Sequence, residues 1–459
     1  MSPKEILYVN NILYRGNKKT KERIISREVD IQPKAQYLRS ELEALIELDE
    51  NKIFNTSLFN KVEGVIIPYQ EDSSKVNVVF FVEERWYIWP TVLFKLADRN
   101  FSDWLINQKG ATDRFEYGFK FDQYNVRGLN EKLSVLAQFG FKKQFGFGYK
   151  IPYLNKNQTF GIATSFIYRE FDQIHYFNDN GQRLFIKADE LFPNEDANKI
   201  ISTEISTRVE FNYRESFYNT HTFGLHYNQT YVDDTIRSAS LNPDYMLGDD
   251  NVQRSFDLIY QFRRDFRDRN NYPLDGFVIN AFLRKTGLGI FQDVDQGSAE
   301  INTAIYTPLY KDRLYLGNSL SGYTSYPRKQ GYINYNGLGF GNNLLKGYEL
   351  YVIQGQHYMM NKNELKFRLF SVEGNLGKLM FLKQFRKIPL SAYFKVFFDQ
   401  GIVGNSLENP SISQFTNNYL YSTGVGLDLV TYYDAVLRLE YSINRLGDTA
   451  FFINVKSGI

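Results

Sequence analysis

The chain has 459 residues, more than one compact domain usually needs, and a formal net charge of +2. Such a balance of acids and bases argues against a nucleic-acid protein, which normally carries a basic excess. Mean hydropathy is negative, and no apolar run approaches the roughly 18 residues of a membrane-crossing helix. Even Val76–Val82 is short and ends in charge. A transmembrane helix is excluded, whereas a transmembrane barrel is not, because its strands are apolar on one face only. Aromatic residues reach 17%, from 39 Phe and 34 Tyr against 3 Trp, and cysteine is absent. A cysteine-free chain suits an oxidising compartment, where stray thiols mispair. Met1–Tyr8 contains no apolar secretory core, so a barrel would have had its signal removed.

The first 86 residues predict a compact α+β domain. Ile6–Tyr14 reads as a strand and Arg15-Gly16-Asn17 as a turn. Thr20–Val29 reads as a helix with Thr20 at its N-cap. Arg39–Phe54 carries Leu42, Leu45, Ile46 and Leu48 as an amphipathic stripe. Val62–Pro68 and Val76–Glu83 read as two strands. The expected order is strand, helix, helix, strand, strand.

After Trp86 a two-residue alternation takes over. Phe115, Tyr117, Phe119 and Phe121 alternate with Glu116, Gly118 and Lys120. Phe145, Phe147, Tyr149 and Ile151 alternate with Gly146, Gly148 and Lys150. Ile205–Tyr213 sets apolar residues and Thr207 against Ser206, Arg208, Glu210 and Asn212. Leu365, Phe367 and Leu369 alternate with Lys366 and Arg368, and Ala435–Ile443 repeats the theme around Arg438, Glu440 and Ser442. About sixteen such segments follow one another, at about 23 residues per strand with its loop. They start near Thr91, Arg114, Lys132, Gln144, Gln158, Thr203, Asn219, Ser255, Gly276, Ala299, Arg313, His357, Ser391, Tyr419, Asp434 and Ala450.

A soluble sandwich hides its apolar face and wets the other. Here the apolar face is large and aromatic in nearly every segment, and the opposite face mixes charges with Gly and Ser. So much greasy strand surface needs a partner. Lipid is the simplest, and closure removes the unpaired edges. The competing reading is a large soluble β-protein such as a propeller; the absence of a fixed repeat and the uneven loops argue against it. The expectation is an all-β transmembrane barrel of about 16 antiparallel strands over residues 87–459, behind the small domain at 1–86.

Enzyme chemistry finds little support. His221 and His226 differ by five positions, so on one strand they face opposite sides and cannot share a metal. His175 and His357 stand alone, and Gly317–Gly322 lacks the second glycine of a nucleophile elbow. Asp244, Asp249 and Asp250 cluster without EF-hand spacing and read as a solvated loop. No catalytic residue, metal or cofactor is expected.

Several stretches resemble the outer-membrane assembly superfamily, the BamA/TamA-type surface-antigen barrels. Ile12-Leu13-Tyr14-Arg15-Gly16-Asn17, the Thr20–Val29 helix and Asn55–Val62 resemble a single POTRA module. Asp265-Phe-Arg267-Asp268 followed by Pro273 and Gly276 resembles the family's D-x-R-D…P-x-x-G signature between two central strands. Gly339-Phe-Gly341…Leu345-Lys346-Gly347-Tyr348-Glu349 resembles its long inward loop, Asn363–Phe367 its E-L-[RK]-F strand, and Val396–Gly401 its F-x-D-x-G strand. The family's loop motif carries Arg where this chain has Lys346, and lysine lacks the planar bidentate fork.

The resemblance implies that Lys346 pairs with Asp399, Glu364 or both, with Gly347 and Tyr348 completing the loop anchor. Strand parity independently sends Glu364, Tyr393, Lys395, Phe397 and Asp399 into the lumen, with Ala392, Phe394, Val396 and Phe398 outward. The implied function is insertion, assembly or translocation of proteins through a barrel with a lateral seam, where Thr91 and Leu93 of the first strand meet Phe451 and Asn454 of the last. Pro90 and Gly458 would weaken that seam. Two other readings stay open. One is a gated pore plugged by the Lys346 loop. The other is a structural barrel that docks lipoproteins through Asp172–Lys199 and Leu241–Val252. Expected partners are outer-membrane lipid, unfolded or partly folded clients and lipoproteins, with no nucleic acid.

Overall fold

The computed structural model describes residues 5–69, 74–97, 104–105, 109–155, 157–193, 199–340, 343–375, 387–407, 413–431 and 435–456. In the N-terminal domain, β1 (Ile6–Arg15), α1 (Glu22–Ser26), β2 (Ala35–Leu38), α2 (Arg39–Asn55), β3 (Phe59–Pro68) and β4 (Lys75–Glu84) follow in chain order. The sheet order is β2-β1-β4-β3, with β1 parallel to β4. Leu7, Ile24, Leu42, Ile53, Val78 and Phe80 fill the core between sheet and helices, and each such side chain contributes about 1.5–3 kcal/mol by leaving water.

Three local expectations need correction. β2 is an additional strand: Lys34, at φ 65°, reverses the chain so that Ala35–Leu38 pairs with Ile6–Val9. The first helix is shorter than Thr20–Val29, and its N-cap is Lys21. Thr20 instead donates its hydroxyl to Glu84 Oε1 at 2.7 Å and accepts from Asn125 Nδ2 at 2.8 Å. On α2, Leu48 is exposed and Asp49 is the buried neighbour. Asp49 accepts the Asp30 and Ile31 backbone N–H groups at 2.9 and 3.2 Å and faces Lys52 at 3.0 Å. Burial pushes the Asp49 carboxyl above its ordinary range despite these bonds.

The remaining strands are β5 (Ile88–Leu96), β6 (Phe115–Val126), β7 (Glu131–Gly140), β8 (Lys143–Ile151), β9 (Phe160–Phe171), β10 (Gln173–Asp179), β11 (Gln182–Lys187), β12 (Ser202–Arg214), β13 (Asn219–Val232), β14 (Val252–Asp265), β15 (Gly276–Thr286), β16 (Gln296–Tyr310), β17 (Leu314–Tyr326), β18 (Asn336–Leu338), β19 (Ile353–Gly355), β20 (His357–Asn375), β21 (Lys387–Gly404), β22 (Tyr419–Val430), β23 (Val436–Asn444) and β24 (Thr449–Lys456). A short helix, α3 (Ala188–Leu191), follows β11. Sixteen of the strands form one antiparallel meander; β10–β11 and β18–β19 are separate hairpins within loops.

The meander is rolled. Tyr272, between β14 and β15, bonds Asp428 of β22, and Lys346, between β17 and β20, reaches Glu440 of β23. Alternation sorts the two faces. Val92, Phe94 and Phe119 are 73, 71 and 67% exposed on the outside, whereas Asp257, Lys395, Asp399 and Asp428 are wholly buried on the inside. On β21 the inward and outward sets follow parity, and Ala392, though buried, shares the outer face with its larger neighbours. It lies opposite Phe370 at a bulge that turns Leu369 and Phe370 outward together.

Closure is the other expectation that fails. Among the described residues β5 pairs with β6 and β24 with β23, with no ladder between β5 and β24, so Thr91 and Leu93 lie on one end strand of the sheet and Phe451 and Asn454 on the other. Pro90 supplies no backbone N–H to a partner, and β5 and β24 are only 9 and 8 residues long. Gly458 lies outside the described residues.

The rolled sheet has unlike ends. At one, short turns meet the N-terminal domain. Arg214 at the end of β12 donates to both carboxylate oxygens of Glu28 at 2.7 and 2.8 Å. Lys21 N–H donates to Gly128 O at 3.0 Å, and Asn55 Nδ2 to Asp268 O at 3.2 Å. At the other end, β10–β11, α3 and the loops after β13 and β17 pack around Ile174, Ile201, Ile236, Met246 and Tyr332 as a cap.

Candidate functional site

The chain between β17 and β20 leaves the sheet, forms β18–β19 and runs along the lumenal wall. Gly347 adopts φ 79°, and a Cβ there would lie 3.0 Å from Ser422 Cβ, against β22. Its carbonyl accepts from Asn444 Nδ2 at 2.9 Å. Tyr348 is buried and donates its hydroxyl to the Tyr421 carbonyl at 3.2 Å. This close approach of backbone to wall explains why glycine stands there. It also brings Lys346 onto the same wall.

Lys346 Nζ lies 2.7 Å from Glu364 Oε1, 3.5 Å from Asp399 Oδ2 and 4.0 Å from Glu440 Oε1. Its ammonium also sits 4.5 Å from the centre of the Phe397 ring. The carboxylates come from β20, β21 and β23, so one loop cation touches three strands of the wall. Lysine is a compact charge with three donors. It meets several anions around it, where a guanidinium would lie flat on one.

A second cation deepens the cluster. Lys395 of β21 is completely buried, 2.8 Å from Asp428 Oδ1 and 2.7 Å from Glu440 Oε1, with Glu364 Oε1 at 3.8 Å. Lys366 stands 3.2 Å from Glu364 Oε2. Parity places Lys395 inside but cannot say which distant strand it meets. Alternation alone does not mark Asp428 and Glu440 as site residues, because their juxtaposition arises from the curvature of the sheet.

The D-x-R-D segment forms the turn between β14 and β15. Asp265 accepts from Arg267 Nε and Nη2 at 2.8 and 2.7 Å, and Asp268 Oδ1 accepts the Leu274 and Asp275 N–H groups at 3.0 and 3.2 Å. Gly276 is at φ 90°, where a Cβ would fall 2.1 Å from the Phe266 carbonyl oxygen. Pro273 lies within this turn, beside Tyr272. The Tyr272 hydroxyl donates to Asp428 Oδ2 at 3.0 Å. The structure therefore brings the loop residues and the turn to one wall, while the seam residues lie apart from it on the two end strands of the sheet.

Other candidates separate. His226 faces inward 3.2 Å from Glu210, and His221 packs among Tyr213, Tyr260 and Phe262. No acidic or histidine cluster of metal-binding geometry occurs among the described residues. Gly341 lies outside them. The described parts of Asp172–Lys199 and Leu241–Val252 belong to the cap.

Residues 125–448 match the model of the Omp85 superfamily domain. The chain belongs to the Omp85 superfamily. Residues 7–85 match the POTRA model, a surface antigen variable number repeat. The fold of this Omp85 chain is similar to BamA from Haemophilus ducreyi lacking POTRA domains 1–3 (TM-score 0.52, 15% identity, 98% of this chain and 83% of that one). It is similar to CdiB from Escherichia coli (TM-score 0.59, 14% identity, 98% and 76%) and from Acinetobacter baumannii (TM-score 0.51, 12%, 98% and 74%). None of the curated proteins matches the chain by sequence. The Omp85 barrel resides in the outer membrane with its POTRA domain in the periplasm, and its apolar outer face meets lipid. At the level of the family its work is outer-membrane protein assembly or secretion.

Proposed function

We propose that this Omp85 chain is a non-enzymatic insertase that folds client proteins against its own open seam. The observation that carries the reading is that, among the described residues, no backbone ladder joins β5 to β24 in a sheet whose other strands are paired on both sides. A free edge presents a row of unpaired N–H and C=O groups, and an incoming strand satisfies them by β-augmentation. The cap at the outer end disfavours a straight path, so the route for a client is sideways into the bilayer. The Lys346, Gly347, Tyr348, Glu364 and Asp399 anchor braces β20 to β23 and leaves β24 outside the brace, so the seam can move without loosening the wall. Residues 1–86 act as the periplasmic unit and 87–459 as the barrel. The outer strands β2 and β3 of the periplasmic sheet offer further edges to unfolded or partly folded clients, and lipoproteins are candidate partners at the same mouth.

The full chain in liposomes, mixed with a urea-unfolded outer-membrane barrel client, tests this. At least tenfold faster client folding than in empty liposomes is expected; equal rates contradict it. A gated pore is the second reading, favoured by the inward loop lying in the lumen. It requires steady conductance in planar bilayers that rises when 331–347 are deleted.

A further inference from the structure

The lumenal wall of β7, β8, β9 and β12 contains a cavity of about 280 Å3, away from the Lys346 cluster. Lys132, Lys150 and Arg208 line it, with Glu210 as the acidic member. The strand register brings them together: Lys132 stands opposite Lys150, Gly148 opposite Ser165, and Ser165 opposite Arg208. Gly148 leaves the space open, since a Cβ there would meet nothing nearer than 3.8 Å.

Charges in this part of the lumen are mostly matched. Lys132 lies 3.4 Å from Asp122, Arg169 2.8 Å from Glu204, and Arg284 pairs with Asp257. Glu210 is engaged by His226 at 3.2 Å. Lys150 and Arg208 are different. Among the described residues neither makes an ion pair, and the Arg208 guanidinium has only a 3.4 Å contact to the Ser206 hydroxyl. Two cations without an ion-pair contact, sharing only the longer-range attraction of Glu210, face one small polar cavity, and one of them is a planar fork suited to paired oxygens.

We propose that this cavity binds an oxyanion between Arg208 and Lys150. The cavity has room for a phosphate-sized group or for one carboxylate of an extended chain. Its sources are free phosphate or an acidic side chain of a peptide in the lumen, and the shared chemistry is a compact anion with two or more exposed oxygens. The binding does not depend on the seam, so it stands or falls separately from the insertase reading.

The test is calorimetric titration of the full chain in detergent, at low chloride, with sodium phosphate and with a Glu-rich hexapeptide. Saturable binding is expected, weakening as salt is raised. Arg208→Gln and Lys150→Gln should each weaken it at least tenfold, as should Gly148→Leu, which fills the cavity but keeps both charges. Lys285→Gln, on the outer face, should leave it unchanged. Binding of both probes points to a peptide carboxylate; binding of phosphate alone points to the free ion. Absence of saturable binding with both probes, or equal affinity in folded Arg208→Gln, Lys150→Gln and Gly148→Leu, overturns the proposal.

Discussion

Replacing Lys395 with methionine removes the fully buried cation of the lumenal wall while keeping most of its volume. Asp428 then retains the Tyr272 hydroxyl at 3.0 Å, but Glu440 is left with Lys346 at 4.0 Å as its nearest cation. Glu364 keeps Lys346 and Lys366. Two carboxylates thus lose their close partner in a site without solvent exposure. Breaking a buried pair in this way costs about 3–5 kcal/mol. At about 1.4 kcal/mol per tenfold, this is a loss of between roughly 100-fold and 4,000-fold in the folding equilibrium. Urea unfolding of the full chain in micelles, followed by tryptophan fluorescence, measures it. Phe398→Leu, three positions along the same strand on the lipid face, is the control and should cost less than about 1.5 kcal/mol. If Lys395→Met loses no more than Phe398→Leu, the buried network is not what braces the wall.

Three further outcomes follow from other parts of the molecule. Glu28→Gln removes one side of the charge pair between POTRA domain and barrel. It should weaken docking by about 2 kcal/mol or more, read as a broadened distance distribution between spin labels on the two parts; an unchanged distribution contradicts it. In the POTRA domain, burial pulls the Lys52 ammonium down but its bonds to Asp30 and Asp49 outweigh this, so it titrates above its ordinary value. Its stabilising effect is complete below about pH 10.4 and is lost as pH rises through the folded-state value. Hydrogen exchange in α2 should therefore quicken above that pH more than chemistry alone dictates, and Lys52→Met should remove the excess. Gly276→Ala and Gly289→Ala both place alanine at positive φ, but only at 276 does a Cβ strike a carbonyl oxygen, whereas at 289 nothing lies within 4 Å. Gly276→Ala should lower the yield of folded barrel well beyond Gly289→Ala, as seen by heat-modifiable gel mobility; equal yields contradict the steric account.

Most of the barrel is legible in the sequence because its strands have one apolar and one polar face, and a period of two survives without any partner being known. Asn219, Gly276, His357 and Tyr419 are all strand starts both by alternation and in the structure. Elements too short to show a period are not legible: Ala35–Leu38 and the β18–β19 hairpin lie in stretches without alternation. Parity also sends Glu364, Lys395 and Asp399 inward. That Lys395 meets Asp428 and Glu440 depends on how the sheet curls, and strand-local pattern is blind to curvature. Lys346 reaches its carboxylates from a loop, where no periodicity operates, so its pairing came only from family resemblance. The failure of closure has the same root. Alternation fixes which face a strand shows, and says nothing about whether the first and last edges bond.

The open seam is tested most directly by locking it. The chain has no cysteine, so Thr91→Cys with Asn454→Cys introduces the only thiols. Oxidised, this variant should lose at least 90% of client folding in liposomes and regain it on reduction, with conductance and barrel folding unaltered. Full activity with the seam cross-linked would contradict the account.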